Sequence, residues 1–491
     1  MQNDFYLAVP VFFPMLAGCL IFTQRKSSMN RKHLFSLVAA ALAAELLLTV
    51  IAFTGDRSLL LWTLTDTLRI SFHVDTISRI FGGLSTFVWL MVGIYSFEYM
   101  SHLQDEARFY GFYMIVEGAL VALAFADNLF AYYVFFEAMT FTSLALVLHE
   151  MSEKAIMAGL KYLFYSVAGA FMALFGIFFL SGYGSLESFA AGGILSAEIA
   201  DHMTLFYACA FLMILGFGTK AGMFPMHGWL PTAHPEAPAP ASAVLSGVIT
   251  KMGVLAIIRV VYFCIGPDLL RGTWVQYAWL SLTLITVFMG SMMAYREAIT
   301  KKRLAYSTVS QMSYILFGLA CMNPLAFTGA LLHVVCHSMI KNTLFMSAGA
   351  FICKAHKKMV ADLNGIGKEM PVVLWCFTIV SIALVGIPPT GGFISKWYLA
   401  IGSLSADIGF FGWLGPVILL ISALLTAGYL LPITIHGFFP GHDFNYRDLE
   451  KKEPSRLMLV PMIIMTAGAV LVGMFPNPLI ALISTVTAAV F

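Results

Sequence analysis

Residues 203–231 read MTLFYACAFLMILGFGTKAGMFPMHGWLP. The first two thirds form an apolar run as long as a helix needs to cross about 30 Å of hydrocarbon. Lys220 stands inside that run, followed by glycine and by Pro225 and Pro231. The same texture of long apolar runs continues through a chain of 491 residues that is 60% hydrophobic and only 11% charged. A soluble domain carries about 25% charged residues, and so much apolar surface has no place to hide in a water-soluble fold of this length. With no water in the bilayer core to satisfy backbone groups, apolar runs of this length cross as helices. The expected fold is an all-α, polytopic transmembrane bundle.

Working outward from that stretch, fourteen spans are expected, at roughly 4–22, 34–53, 74–97, 109–126, 128–148, 158–181, 203–224, 240–263, 273–295, 303–322, 324–352, 371–402, 412–439 and 457–474, with 477–491 as a short apolar tail. Met1 to Phe22 has no basic stretch ahead of it and reads as a first span rather than a cleavable signal. Segments 324–352 and 371–402 are long for one crossing, so each is expected to be broken or strongly tilted. The basic residues check the count. Loops after odd-numbered spans hold eighteen: Arg25, Lys26, Arg31, Lys32, Arg108, Lys154, Arg296, Lys301, Lys302, Arg303, Lys354, Lys357, Lys358, Lys368, Arg447, Lys451, Lys452 and Arg456. Loops after even-numbered spans hold three, Arg57, Arg69 and Arg271. By the positive-inside rule the first set is cytoplasmic, which places both termini on the extracytoplasmic side of an inner (plasma) membrane.

Seven basic residues remain within spans: Arg79, Lys161, Lys220, Lys251, Arg259, Lys341 and Lys396. A charge at bilayer mid-depth costs a few kcal/mol or more, and such residues usually mark ion paths. Arg79 and Arg259 lie near span ends and are expected to reach the interface. Lys161, a turn inside span six, either anchors at the cytoplasmic edge or feeds protons inward. Lys220, Lys251, Lys341 and Lys396 are flanked by helix-length apolar sequence; structural ion pairs are the plain alternative for them. On the acidic side Glu137, Glu117 and Glu45 lie within spans, and Asp75 opens span three. The densest cluster is His333-Val-Val-Cys-His337-Ser-Met-Ile-Lys341. Its i, i+4, i+8 spacing puts all three titratable groups on one helix face, about 6 Å apart in rise per step, a spacing that suits bridging water. A metal reading would need a further ligand beside them, and the motif has none.

Two spans carry matching interruptions, at Pro225 in span seven and at Pro388-Pro389 in span twelve. Proline removes a backbone donor and clashes with the preceding turn. Unwound backbone at membrane depth survives only inside protein or along a wet cavity, and paired broken helices point to an ion site. Lys220 precedes its break and Lys396 follows its own. That reversed order suits two repeats of opposite topology. The expected division is 1–108 for helices 1–3, 109–263 for the first inverted repeat, 273–439 for the second, and 440–491 for a cytoplasmic loop, helix 14 and tail.

Other chemistry finds little support. The seven cysteines are scattered without a C-x-x-C, which argues against an iron–sulfur, zinc or disulfide framework. The glycines at 216–222 follow no strand, so they are not a nucleotide loop. A net charge of +2 with dispersed basic residues gives no nucleic-acid patch. No cofactor, metal or independent active site is expected.

At these residues the sequence resembles the antiporter-like membrane subunits of respiratory complex I, of Mrp-type cation/proton antiporters and of membrane-bound hydrogenases. The motifs are Phe-Phe-Glu137, Lys220-x-x-x-Phe-Pro-x-His227-x-Trp-Leu-Pro-x-Ala-His234-x-Glu-Ala-Pro, Leu245-Ser-Gly-x-x-x-Lys251-x-Gly, Lys302-Arg-Leu-Ala-Tyr-Ser-x-x-x-Gln311-Met, His333-x-x-x-His337-x-x-x-Lys341 and Gly386-x-Pro-Pro-x-x-Gly-Phe-x-Ser-Lys396. The resemblance implies roles: Glu137 as the acid paired with Lys220, Lys251 as the central relay, His333, His337 and Lys341 as its continuation, and Lys396 as the terminal lysine. His227, His234 and Lys161 are supporting candidates. Lysine rather than glutamate at 396 and the length of the chain look closest to the D-type Mrp subunit or its hydrogenase counterpart, without the long lateral helix of the largest complex I antiporter subunit. Glu117 matches no motif and has no expected role. The implied function is proton translocation within a multisubunit ion-pumping complex, with other membrane subunits as partners and protons, with sodium as a second candidate, as the cargo. A buried lysine keeps its proton when a carboxylate stands near it, so movement of Glu137 would switch Lys220 from holder to donor. The alternatives are a stand-alone secondary transporter of a small solute or cation, a redox enzyme with its own quinone or haem, and a structural subunit with vestigial charges. The linear titratable row, the lack of a cofactor motif and the number of intact motifs argue against them in turn.

Overall fold

The computed structural model describes residues 4–23, 31–65, 68–184, 187–441 and 450–491. Of the loop cations counted above, Arg25, Lys26 and Arg447 lie outside the described residues. The chain opens with α1 (Ala8–Thr23) and α2 (Arg31–Ala52), followed by the antiparallel hairpin β1 (Ser58–Thr63) and β2 (Arg69–His73). Then come α3 (Thr76–Tyr99), α4 (Glu106–Phe125), α5 (Leu129–Val147), α6 (Glu153–Ser181), α7 (Met203–Ala221), α8 (Leu230–Glu236), α9 (Ala239–Val244) and α10 (Thr250–Ile258). The second half contains α11 (Trp274–Arg296), α12 (Thr300–Ala320), α13 (Pro324–Ala355), the short α14 (Ile366–Glu369), α15 (Pro371–Val385), α16 (Gly391–Ser405), α17 (Phe410–Phe438), α18 (Arg456–Met474) and α19 (Asn477–Val490).

Among the described residues, eleven helices are long and apolar enough to cross a membrane, and they coincide with the first nine and last two expected spans. The other three are α12, α13, which carries His333, His337 and Lys341, and the α15/α16 pair, which carries the second break. The bundle is apolar outside as well as inside. Leu16, Phe171, Trp413, Leu424 and Ile463 are exposed on α1, α6, α17 and α18, a distribution that water would oppose and hydrocarbon permits. The innermost helices are α4, α10, α12 and α13; α13 packs against α3, α9, α12, α15, α16, α18 and α19.

Both breaks are present. Helix α7 ends on Gly222 in the left-handed conformation (φ 77°), which lets the chain turn and donate back to Gly218 and Thr219. The short α8 then restarts at Leu230. Helix α15 ends on Gly386 (φ 94°) and α16 restarts at Gly391, after Pro388-Pro389. A side chain at Gly392 would put its Cβ 1.8 Å from the Ala383 carbonyl oxygen, so only glycine lets the two halves approach this closely. Three features refine the expectations. Segment 324–352, expected to be broken or strongly tilted, is not broken: α13 runs 32 residues without interruption, because it contains no internal proline. The loop after span two holds the β-hairpin, written in the β-favouring run Leu59-Leu-Leu-Trp62 and Ile70-Ser-Phe72. And Arg259 does not reach the interface; it is 2% exposed and clamps Asp75.

Candidate functional site

The row of buried cations is assembled around α13 and the two breaks. Lys220, one residue before the end of α7, is buried, and its ammonium donates to three hydroxyls: Thr140 Oγ1 at 2.8 Å, Tyr162 at 2.8 Å and Ser166 Oγ at 3.2 Å. The Tyr162 ring also lies 4.5 Å from Nζ, a cation–π distance. Glu137 is on the same helix as Thr140, one turn away, and interacts with Lys220 electrostatically. Contrary to the expected direct pairing, no ion pair joins them among the described residues; the Thr140 hydroxyl occupies the place beside the ammonium. Glu137 Oε1 is buried without a hydrogen-bond partner.

Lys251 lies in α10 just after the π-helical segment Leu245–Ile249. π-Bulges free carbonyls from the helical ladder and recur at functional sites. Here Lys251 Nζ donates to the Ser246 carbonyl and stands 2.9 Å from His337 Nδ1. That direct lysine–imidazole contact was not legible from the spacing of His333, His337 and Lys341. Within α13, the His333 and His337 rings stack with centroids 5.6 Å apart, too far for a direct bond. Lys341 donates to the Leu304 carbonyl at 3.0 Å. His333 continues the row: Nδ1 is 2.8 Å from Ser395 Oγ and Nε2 is 3.1 Å from Gln311 Oε1. Ser395 adjoins Lys396 in α16. Lys396 caps the broken helix, donating to the terminal carbonyls of Leu384 at 2.6 Å and Val385 at 3.0 Å, groups that the break leaves without intrahelical partners. Its ammonium also lies 5.0 Å from the Tyr314 ring, which stacks on His333.

The structure therefore brings Lys251, His337, His333 and Lys396 into one row, buried except for the half-buried Lys396, with Lys341 at its side. Lys220 is nearby but not in polar contact. Gly253, two residues after Lys251, lets α10 approach α7; a Cβ there would be 3.0 Å from Lys220 Cβ and 2.7 Å from the Phe217 carbonyl oxygen. Beside the first break, Lys161 is exposed and donates to Thr232 in α8 at 3.1 Å, and His227 is half-buried. His234 is buried, stacked on Phe345 at 4.8 Å, with neither ring nitrogen bonded. Sequence reading missed Lys301, treated as a loop cation. It is buried, donating to the backbone carbonyls of Pro235 and Ala237. It missed the hydroxyls Thr140, Tyr162 and Ser166 as well, since isolated hydroxyls are common in helices; their one signal is spacing, Thr140 three residues after Glu137 and Ser166 four after Tyr162. Among the described residues no group of three or more histidines, cysteines or carboxylates is placed to hold a metal ion.

At the hairpin end of the bundle, Arg259 grips Asp75, the N-cap of α3, at 2.5 and 3.0 Å. Burial works against the Asp75 charge, but the Arg259 guanidinium and the Ser78 hydrogen bonds outweigh it and draw the carboxyl down to about 2. Asp127, between α4 and α5, has the opposite balance. Burial pushes its carboxyl up to about 6, against the charges of His73, 4.0 Å away, and Arg259, and with a small push from Asp75. A carboxyl raised from 3.8 to about 6 favours the folded state most at low pH and loses that contribution as pH climbs through about 6, up to about 3 kcal/mol in all. Asp127→Asn is expected to increase hydrogen-exchange protection around Phe189, whose amide bonds the Asp127 carbonyl, at pH 7 and to flatten its pH dependence. An unchanged pH profile would count against this account.

The comparisons with known proteins agree with this architecture. Residues 126–426 match the NADH:quinone oxidoreductase/Mrp antiporter transmembrane family, and residues 62–110 match the N-terminal family of complex I chain 5. The chain is 32% identical to NADH-quinone oxidoreductase subunit N of Desulforudis audaxviator over 77% of this chain and 76% of that one. It is 28% identical to the D-type component of the Na(+)/H(+) antiporter of Bacillus subtilis over 89% and 87%. A chain of the Mrp complex from Dietzia sp. has the same fold, with a TM-score of 0.83 at 21% identity over 99% of this chain and 97% of that one. An apolar multi-helix bundle with two broken helices, a buried row of lysines and histidines, and a family match over most of its length make this chain an integral multi-pass membrane protein of the NADH:quinone oxidoreductase/Mrp antiporter family, an antiporter-like subunit.

Proposed function

We propose that this subunit carries protons across the membrane within a multisubunit ion-pumping complex, by relay along Lys220, Lys251, His337, His333 and Lys396 with Lys341 at the side. The observation that supports it most is the 2.9 Å contact between Lys251 and His337 in a wholly buried setting. A lysine and an imidazole that share one proton pass it without leaving a stranded charge. Histidine relays readily because its ordinary titration lies near neutral pH. The stacked His337–His333 step, 5.6 Å between rings, is spanned by water, and Ser395 hands the proton on to Lys396.

Glu137 acts as the switch. At about 4 Å and an effective dielectric near 20, a carboxylate favours a neighbouring ammonium by roughly 4 kcal/mol. In the present geometry the hydroxyls of Thr140, Tyr162 and Ser166 hold Lys220 instead. A hydroxyl serves an ammonium as acceptor and a neutral amine as donor, so this state lets Lys220 lose its proton. Closure of Glu137 onto Lys220 is the holding state. Lys161, His227, His234 and Lys301 supply the cytoplasmic side. The breaks at Pro225 and Pro388-Pro389 lie one in each of two repeats of opposite topology, 109–263 and 273–439, with helices 1–3 (1–108) and the C-terminal segment (440–491) flanking them. The distribution of basic loops supports a plasma-membrane orientation with both termini outside, and the related chains' membership of larger assemblies supports other membrane subunits as partners. Protons are the favoured cargo over sodium, because the row offers amines and imidazoles rather than oxygen ligands. In proteoliposomes of the assembled complex, His337→Gln is expected to lower the rate of proton uptake about tenfold, a barrier increase of about 1.4 kcal/mol. An unchanged rate would remove His337 from the path.

A further inference from the structure

Two buried carboxyls lie outside the lysine row. Glu45 in α2 and Glu117 in α4 are both fully buried. Glu117 has no hydrogen-bond partner on either oxygen, and Glu45 has one, the Thr49 hydroxyl at 3.0 Å on Oε1, with Oε2 unpartnered. Neither forms an ion pair among the described residues. Helix α2 packs on α4, and the charge of Glu45 acts on Glu117. Their depths agree. Glu45 is seven residues from the end of α2 and Glu117 eight from the end of α4, so each lies about 11 to 12 Å below its helix end. Both ends meet the β-hairpin: α2 leads into β1, and Ala126 after α4 bridges Phe72 of β2.

Among the described residues no cation acts on either carboxyl. On α4 itself the neighbouring titratable group is Tyr113, whose hydroxyl is committed to the Trp89 carbonyl at 2.8 Å. On α1 it is Cys19, which is exposed. On α3 the charged groups lie at the two ends, Arg79 bonding Gly55 and Glu98 pairing with Lys354. On α5 it is Glu137, which interacts electrostatically with Lys220. Above Glu45 stand Tyr6, whose hydroxyl donates to the Leu48 carbonyl at 3.0 Å, and the Arg57–Asp4 pair, closed on itself at 2.5 Å. Two ionised carboxylates in such a place would cost many kcal/mol with no opposite charge to offset it.

We propose that Glu45 and Glu117 form a proton-binding carboxyl pair, separate from the lysine row, that exchanges its proton with the hairpin face of the membrane by way of Thr49. The geometry gives the pair a direction. Thr49 is one turn from Glu45 toward the hairpin, and Tyr6 and Asp4 mark the rim beyond it. On the other side, α4 is pressed against α1; a Cβ at Gly118 would lie 2.4 Å from the Val11 carbonyl oxygen, which leaves no polar way out there. A proton leaves the pair through Glu45, because Glu117 has no partner of its own.

The test is infrared spectroscopy of the assembled complex in nanodiscs across a pH series, in water and in heavy water. A protonated-carboxyl stretching band is expected that shifts in heavy water, fades as pH rises and is lost in Glu45→Gln/Glu117→Gln. Because coupled groups titrate as a pair, the band should fade in two steps in the native chain and in one step in either single variant. The proposal is overturned if the double variant leaves the spectrum unchanged, if the band ignores both pH and heavy water, or if each single variant merely halves a one-step titration. Should the double variant not assemble, carbodiimide modification of Glu45 or Glu117 in the native complex, declining as pH rises, replaces it, and absence of modification at every pH overturns the pair. Proton binding is read here without transport, so the lysine relay stands or falls independently.

Discussion

Replacing Lys220 by alanine is expected to stop proton translocation while the complex still assembles. The ammonium is the donor in three buried hydrogen bonds, to Thr140, Tyr162 and Ser166, and it is the charge that acts on Glu137. Removing it leaves hydroxyls that bond to one another, as Tyr162 and Ser143 already do at 2.7 Å, and the one charge that loses its neighbour, Glu137, is only half-buried, so the fold is spared. The relay, however, loses its first buried base, and a proton would have to cross the gap to Lys251 unaided. A barrier increase of about 4 kcal/mol corresponds to about a thousandfold loss of rate. Glu137→Ala should give the same loss by a different route, since Lys220 would then have no holding state. Measured as proton uptake into proteoliposomes, normal rates in both variants would end the case for this relay.

The second large effect is on stability. Arg259→Met should destabilise the hairpin end of the bundle by about 3 kcal/mol. Breaking a buried ion pair by removing one partner costs about 3–5 kcal/mol, and the lower end applies because the Asp75 side chain is 24% exposed against 2% for Arg259. The guanidinium also rests between Phe189 at 4.9 Å and Phe263 at 5.0 Å, so methionine keeps some of the packing while losing the charge. The sign of the pH dependence follows from Asp75. Its carboxyl lies below the ordinary 3.8, so the pair stabilises the fold above about pH 4 and is lost as pH falls toward 2. Thermal unfolding in detergent at pH 7 should show the full loss in Arg259→Met and a smaller one in Asp75→Asn/Arg259→Met, where no charge is abandoned. A single variant as stable as the native chain would mean that the clamp is incidental.

Sequence alone determined the class of fold. Apolar runs of membrane length have one outcome in hydrocarbon, because every backbone group must be paired within the run, and this holds whatever the neighbouring helices do. The breaks were equally legible, since proline and glycine act on their own backbone: Gly222 and Gly386 end α7 and α15 just before the prolines that marked the breaks. Lys220, Lys251, His337 and Lys396 were legible as costly exceptions in apolar sequence. What the sequence did not contain was their partners. Contacts between helices depend on rotation and register, which no single helix encodes. Only the folded bundle put Thr140 rather than Glu137 against Lys220, set Lys251 on His337 rather than one turn away, turned Arg259 inward to Asp75, and buried Lys301. The same holds for Glu45 and Glu117, 72 residues apart in the chain: each was visible as a lone acid, and the packing of α2 on α4 made them a pair.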